Sequence, residues 1–165
     1  RQRQMCIRDR LHVEVTSIYD PEQRIEIIKR NLEFEEDPVG FRRKFEKQQR
    51  ELRDRIIRAR SLLPSVKVPY YLMDTVARMC IKLRVDGHRP DIVILKAAKA
   101  LAALNGRTMV EPEDVLMCAH LALSHRTRMG GLEEAATPEQ IDEAFKRALR
   151  EAGGVGALKS LAPRR

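Results

Sequence analysis

The sequence predicts an all-α fold: a helical bundle preceded by a long helical arm and one orphan β-strand. Of the 165 residues, 34% are charged and only 4% are aromatic, with no Trp, a composition that favours helix over sheet. Apolar residues recur at helical spacing through most of the chain, as on helices that bury one face. Apolar and polar residues alternate at residues 11–15, and no second segment of comparable length follows to pair with them.

Three helices are predicted to begin with the same signature, in which a capping side chain precedes a proline at the first helical position. The signature occurs at Asp20-Pro21, Asp37-Pro38 and Thr137-Pro138. The first two predict the arm, as a helix over about 21–32 and a long helix over about 38–62. Their apolar stripes predict inward faces formed by Ile25, Ile28 and Leu32 and by Phe41, Phe45, Leu52, Ile56, Ala59 and Leu63.

Four further segments predict the helices of the bundle, over about 70–84, 89–105, 112–127 and 138–151. Short extended pieces are predicted at 65–68 and 107–110. The chain is therefore expected to divide into a leader foreign to the fold (1–10), the strand and arm (11–63), the bundle (64–151) and a disordered tail (152–165).

The net charge of +8 suggests nucleic-acid binding, but its location argues against a specific site. Residues 1–10 and residues 150–165 each carry +3, which leaves +2 for residues 11–149. A nucleic-acid-binding domain concentrates basic residues on its folded part, often with stacking aromatics. We therefore expect no specific nucleic-acid partner.

Motifs of stand-alone enzymes are missing from the sequence, including GxxxxGK[ST], GxGxxG, HExxH, GxSxG and CxxC. The three cysteines, Cys6, Cys80 and Cys118, are far apart and suit a reducing cytosol. His120 and His125 are five residues apart, the wrong spacing for a shared metal on one helical face. No apolar run reaches the roughly 20 residues of a membrane span, and a cytoplasmic location is expected.

Arg89 is the strongest candidate for a functional residue. It follows the Gly87 turn and begins a predicted helix, where free N–H groups and the helix dipole favour anions. An arginine at such a place can hold a phosphate in a forked contact. The alternative is a surface arginine paired with Asp86 or Asp91, and His88 beside it is expected to be a surface residue.

Four blocks in order along the chain carry a family likeness. They read LPSV at 63–66, VDGHRPDIV at 85–93, AAKALAA at 97–103 and GRTMVEPEDV at 106–115. Together they resemble the C-terminal part of the small ATPase subunit of magnesium chelatase, an AAA+ protein. The likeness covers residues 11–149, and SHRTR at 124–128 is similar to the end of the family's last lid helix.

The resemblance implies a fold and a function. The bundle would be the AAA+ lid, residues 11–63 the end of a core strand and the family's helical insertion, and ATP and Mg²⁺ would bind to an AAA+ core that these residues lack. Arg89 matches the sensor-2 arginine, which reaches the terminal phosphates, with His88 and Asp91 as neighbours. The parent subunit would assemble into a ring with its neighbours and act with other chelatase subunits. There, ATP hydrolysis drives Mg²⁺ insertion into protoporphyrin, a step of chlorophyll biosynthesis.

Two departures limit what is carried over. The family has Asp-Arg-Phe-Gly with an arginine finger before the strand, but Asp9-Arg10 runs directly into Leu11, so Arg10 receives no such role. The phosphate-binding loop and water-positioning carboxylate of the core are also missing. We therefore expect a lid fragment that does not hydrolyse ATP on its own.

Other functions stay open at this point. The lid could belong to a cobalt-chelatase-like or MoxR-like AAA+ ATPase, because no motif marks the surfaces that bind a client. Alternatively, the first three bundle helices, over about 70–84, 89–105 and 112–127, could form a histone-fold-like interaction module with their short extended pieces. Such a module needs basic loops and helix ends to bind DNA, and residues 11–149 carry only +2.

Overall fold

The structure is a computed structural model that describes residues 11–126 and 134–153. It contains seven α-helices within these ranges: α1 (Pro21–Glu36), α2 (Pro38–Lys44), α3 (Glu46–Leu62), α4 (Tyr70–Lys82), α5 (Arg89–Leu104), α6 (Pro112–Leu123) and α7 (Pro138–Glu151). The all-α prediction is confirmed. The predicted leader and the predicted tail beyond residue 153 lie outside the described residues.

The chain divides into two compact units. One comprises Glu14–Arg58, which holds α1, α2 and most of α3. The other contains the described parts of Arg1–Val13 and Ala59–Arg165, with helices α4 to α7. We call the first unit the arm and the second the lid unit.

The lid unit is a four-helix bundle with one apolar core. Helix α4 packs against α5 and α7, and α6 packs against α5 and α7. The largest side chains at its centre are completely or almost completely buried, and include Leu72, Met79, Ile94, Leu123, Ile141 and Phe145. Burying one such side chain contributes about 1.5–3 kcal/mol, so the stripes of the four helices account for the assembly of the bundle.

The two predicted extended pieces pair with each other. Lys67 and Met109 form an isolated parallel bridge. The Lys67 N–H donates to the Thr108 carbonyl at 2.9 Å, and the Val110 N–H donates to the Lys67 carbonyl at 3.0 Å. This short pairing ties the segment before α4 to the segment before α6.

The three predicted helix starts form as expected. Asp20 and Asp37 accept hydrogen bonds from the N–H groups of Glu22 at 3.2 Å and Gly40 at 2.9 Å. Thr137 and Gln140 form a reciprocal capping box at the start of α7.

The long helix predicted for 38–62 is interrupted at Phe45. Its N–H bonds to Arg42 and Arg43, its backbone has φ −100° and ψ 1°, and α3 begins at the next residue. Phe45 lies 5.0 Å from Phe41, which in turn makes an edge-to-face contact with Phe34 at 5.6 Å. These rings form an elbow between α1 and α3, and a helical pattern alone does not reveal such a break.

The predicted burial of the arm is wrong for the described structure, because α1, α2 and α3 contain no buried residue. Ile25, Ile28 and Leu32 are 50%, 58% and 55% exposed. The helical periodicity is real, but Ile25, Ile28 and Leu32 lie on a face that the described chain leaves largely exposed. Phe41 and Phe45 are half-buried in the elbow, and Ala59 packs against the core.

The strand predicted for residues 11–15 is not formed. Within the described residues no neighbouring strand offers the hydrogen bonds that a strand needs. Residues 11–13 belong instead to the lid unit. The His12 N–H donates to the Leu121 carbonyl at 2.8 Å, and the His12 ring lies 5.4 Å from that of His125.

Gly106 sets the turn that ends α5, and we expect Gly106→Ala to destabilise the lid unit by about 1 kcal/mol. Its φ is +73°, and an added Cβ would meet no atom within 4 Å. The cost is therefore one of backbone conformation, and Gly106→Asn should lose less because Asn tolerates a positive φ. Urea unfolding measures both changes; equal stability of the Ala variant and the wild type would contradict the assignment.

Candidate functional site: a basic cleft beside the first turns of α5

The first turn of α5 is shaped by the residues around Arg89. Gly87 has φ +74°, which turns the chain into the helix. His88 is the N-cap residue, makes no side-chain cap and is exposed. Pro90 is buried in the first turn and anchors it to the bundle. Arg89 is thereby held at the amino end of α5 with its side chain in solvent.

A cleft of about 370 Å³ runs along this face of α5. Its lining residues are Leu11, Arg89, Ile92, Val93, Lys96 and Ala97. The five from α5 recur at positions i, i+3, i+4, i+7 and i+8, which is one side of a helix. Leu11 and Ile92 are about half exposed. The cleft therefore combines an apolar floor with two cations roughly 10 Å apart along the helix axis.

Arg89 has no partner within residues 11–126 and 134–153: no ion pair or hydrogen bond engages its guanidinium there. The pairing with Asp86 or Asp91, which the sequence left open, is not formed. The same holds for the Lys96 ammonium in the described chain. Two uncompensated cations facing one cleft favour an anionic ligand.

Lys96 was missed by sequence reasoning. Its only signal was the spacing of seven residues from Arg89, which places both side chains on one helical face. A lysine at that spacing is common on solvated helices, so the spacing alone does not indicate a site. The structure adds that Arg89 and Lys96 line the same cleft.

Asp91 lies away from the cleft. It is two residues from Arg89, on the other side of α5, and its carboxylate is adjacent to Cys80 of α4. Its Oδ1 is buried without a hydrogen-bond partner in the described structure. Of the predicted site residues, only Arg89 lines the cleft. His88 precedes it in the chain without lining the cleft, and Asp91 lies where α4 packs against α5.

The buried thiols behave as core residues. Burial raises the pKa of Cys80, and the Asp91 carboxylate raises it further; burial, with Asp114, raises the pKa of Cys118 to about 11. Both cysteines are free. Neither can supply a nucleophilic thiolate near neutral pH.

We expect Cys80 and Cys118 to resist thiol reagents in the folded protein. A group with a pKa of about 11 is ionised in roughly one molecule in a thousand at pH 8. In a Cys6→Ser variant, which removes the remaining thiol, Ellman's reagent should label neither cysteine within minutes, and both once urea unfolds the chain. Rapid labelling of the folded variant would show that a thiol is accessible.

A second charged cluster lies at the start of α6. Arg107 donates to both carboxylate oxygens of Asp114, at 2.8 and 2.6 Å, and pairs with Glu111 at 2.9 Å. Asp114 is only 3% exposed and also accepts from the Glu111 N–H at 2.9 Å. The hydrogen bond to Asp114 raises the pKa of Arg107 above its usual value. This cluster holds α6 to the turn before it.

The histidines do not converge. His120 pairs with Asp142 at 2.8 Å, whereas His125 contacts the ring of His12. Among the described residues, no group of three or more His, Cys, Asp or Glu side chains could hold a metal ion.

No described helix is both long and apolar enough to cross a membrane.

Comparison with known proteins relates the bundle to a known class of protein domain. Residues 73–149 match the AAA lid domain. They comprise helices α4 to α7 except for the first three residues of α4 and the last two of α7. This part of the chain is similar to that family.

The particular likeness is to magnesium-chelatase subunits. The chain is 42% identical over 142 residues to magnesium-chelatase subunit ChlI of Cyanidium caldarium, covering 86% of this chain and 40% of the relative. It is 45% identical over 133 residues to a ChlI homolog of Methanocaldococcus jannaschii, covering 81% and 35%. A 38 kDa magnesium-chelatase subunit of Chlorobaculum parvum is 38% identical over 149 residues, covering 90% and 43%.

The fold has a counterpart among solved structures. The crystal structure of a candidate ATPase from Cytophaga hutchinsonii matches with a TM-score of 0.56 and 16% identity, over 91% of this chain and 47% of that one. The predicted resemblance to the magnesium-chelatase ATPase subunit is confirmed, and the histone-fold alternative is not favoured. The chain spans about 35–43% of the length of these curated relatives.

Proposed function

We propose that this chain is the lid and helical insertion of a magnesium-chelatase-type AAA+ ATPase, and that Arg89 contacts the terminal phosphates of ATP held by an AAA+ core. The observation that carries the proposal is the cleft beside α5, where Arg89 is exposed, lacks an ion pair in the described chain and begins a helix. The identity to magnesium-chelatase subunits supports it independently.

The chemistry expected of Arg89 is electrostatic. ATP with its Mg²⁺ supplies the phosphoryl group and brings most of the negative charge when bound to the core. The guanidinium can donate two parallel hydrogen bonds to phosphate oxygens. Because α5 is anchored by the buried Pro90 and by the core of the bundle, Arg89 is presented on a rigid element, as a charge-stabilising donor requires.

The other lining residues suit the remainder of the ligand. Ile92 and Val93 offer an apolar surface directly after Arg89, and Lys96 adds a second positive charge at the far end. A nucleotide has an anionic end and a flat, largely apolar base, and this cleft is of the size that small ligands occupy. The described residues therefore fit ATP as a partial site, completed by the core.

The names of the relatives support a proposal for the client of the parent ATPase. Their names support magnesium chelation, so we propose that ATP hydrolysis by the parent ring drives insertion of Mg²⁺ into protoporphyrin by a separate subunit, in chlorophyll biosynthesis. Mg²⁺ is there the substrate. We also propose a cytoplasmic location, which the three widely separated cysteines suit.

The proposal is tested by steady-state ATP hydrolysis of a chimera. Residues 11–153 are joined to the AAA+ core of a magnesium-chelatase relative, and turnover is compared with that of the core alone and with an Arg89→Ala chimera. Turnover that is independent of both the lid and Arg89 would refute the proposed role.

A further inference from the structure

The first turn of α5 begins without a side-chain cap. His88 occupies the N-cap position, and within the described chain its side chain accepts no hydrogen bond from the backbone of the turn. The Gly87 turn, with φ +74°, comes directly before it. An uncapped first turn frays readily, because its N–H groups have no partner inside the helix. Arg89 stands at the first helical position, so its placement depends on some other contact.

Asp91 is the polar side chain that reaches from this turn into the protein. It lies about 200° around the helix from Arg89, so Arg89 faces the cleft while Asp91 faces α4. It is the acidic residue of the first turn, where the helix dipole favours a negative charge. Its Oδ1 is buried and accepts no hydrogen bond in the described structure. Such an oxygen costs free energy, so the carboxylate stays buried only because the packing around it is strong.

Two further buried side chains lie behind the turn. Cys80 of α4 is 5% exposed, and Arg126, which follows α6, is 6% exposed. Burial raises the pKa of the Cys80 thiol, the Asp91 carboxylate raises it further, and the Arg126 guanidinium lowers it in part, so both charged groups lie close to this thiol. The Arg126 Nε also donates to the Ala122 carbonyl at 2.9 Å. This cluster joins α4, the first turn of α5 and the end of α6.

We propose that Asp91 is a positioning residue, whose buried carboxylate ties the first turn of α5 to α4 and thereby fixes the direction in which Arg89 enters the cleft. The inference rests on the proposed contact between Arg89 and the terminal phosphates. A charge-stabilising donor must be held close to its productive place, and a misplacement of about 1 Å can cost a hundredfold in rate. Asp91 lies on the side of α5 away from the cleft, so its effect on turnover is limited to what Arg89 contributes.

Hydrogen exchange of the full 165-residue chain tests the hold on the turn directly. The N–H groups of Ile92 and Val93 make the first hydrogen bonds inside α5. Asp91→Ala should speed exchange at these two amides about tenfold or more, while the amides of α7 keep their rates. Asp91→Asn keeps the volume of the side chain and removes its charge, so it should show a smaller increase at the same amides.

Glu139→Ala is the matched control for this measurement. Glu139 is likewise an acidic residue in the first turn of a helix, but it lies on α7 and is exposed. Its loss should leave exchange in α5 unchanged. Faster exchange in α5 in this variant would show that the turn responds to any loss of a first-turn carboxylate, and would overturn the specific role of Asp91.

A double-mutant cycle in the lid–core chimera tests whether Asp91 acts through Arg89. Asp91→Ala should lower kcat about tenfold and leave KM within about twofold, because the phosphate contact matters most in the transition state. In the Arg89→Ala background the same change should lower kcat by less than about twofold, since no guanidinium remains to be positioned. Circular dichroism checks that each variant is folded.

The outcomes separate this inference from the proposed function. Equal losses of kcat from Asp91→Ala in both backgrounds, or unchanged exchange at Ile92 and Val93, would overturn the positioning role. If Asp91→Ala does not fold, wild-type exchange at these amides in Asp91→Asn would overturn it instead. Faster exchange in Asp91→Ala together with wild-type turnover of Arg89→Ala would refute the phosphate contact, and would still confirm that Asp91 holds the turn.

Discussion

Arg89→Ala should lower ATP turnover of the lid–core chimera by about a hundredfold or more, the scale for loss of one charge-stabilising donor. The guanidinium would meet the greatest negative charge while the phosphoryl group transfers, so kcat should fall more than KM rises. The fold should be unchanged, because Arg89 is exposed and forms no ion pair or hydrogen bond in the described chain. Arg89→Lys should restore only part of the rate, since a point charge cannot reproduce the forked contact.

Lys146→Ala is the appropriate control for this measurement. Lys146 is an exposed cation on α7, outside the lining of the cleft. Circular dichroism confirms folding of each variant. Wild-type turnover in Arg89→Ala, or an equal loss in Lys146→Ala, would contradict the proposed phosphate contact. Arg89 would then be an ordinary surface arginine.

Arg107→Ala should destabilise the lid unit by about 2–3 kcal/mol, because it leaves a buried carboxylate without its cation. Asp114 is 3% exposed and receives two hydrogen bonds from Arg107. The expected loss is at the low end for such pairs because the Arg107 side chain is itself 29% exposed. Urea unfolding of the 165-residue chain, followed by circular dichroism, measures it.

Two further variants separate this role from that of an ordinary surface pair. Arg107→Ala combined with Asp114→Asn should recover part of the loss, because the uncompensated charge is removed. Arg147→Ala disrupts an exposed ion pair with Glu143 and should hardly move the midpoint. If Arg107→Ala and Arg147→Ala unfold at the same urea concentration as the wild type, the Arg107–Asp114 pair contributes nothing to stability. Arg107 is also an unsuitable control for nucleotide effects, since its loss would weaken the lid itself.

The sequence predicted most of the lid unit because its signals are local. Caps at Thr137 and the turn at Gly106 depend on a few neighbouring residues, and Leu72 and Val76 are buried as their spacing predicts. The predicted position of Arg89 at the start of a helix is also confirmed. These features require no knowledge of what lies across the molecule.

The arm and the cleft could not be predicted in the same way. Periodicity shows that Ile25 and Ile28 share a face, but whether that face is covered depends on surfaces elsewhere. Ile92 reads as a core position for the same reason, yet it is 53% exposed in the cleft. The break at Phe45 lies beside Phe41, which contacts Phe34 of another helix. Each case turns on a tertiary neighbour that the local pattern does not encode.

The lid unit is discontinuous along the chain, since residues 11–13 return to it only across the 45 residues of Glu14–Arg58. Bringing two segments together across a span of this length costs about 3 kcal/mol of chain entropy when the span is flexible. The hydrogen bond from His12 to Leu121 and the Leu11 contact in the cleft oppose that cost. Helix formation in the arm lowers it, because an ordered span has fewer conformations to lose. The degree of order in the arm therefore influences how often Leu11 is present beside Arg89 in the cleft.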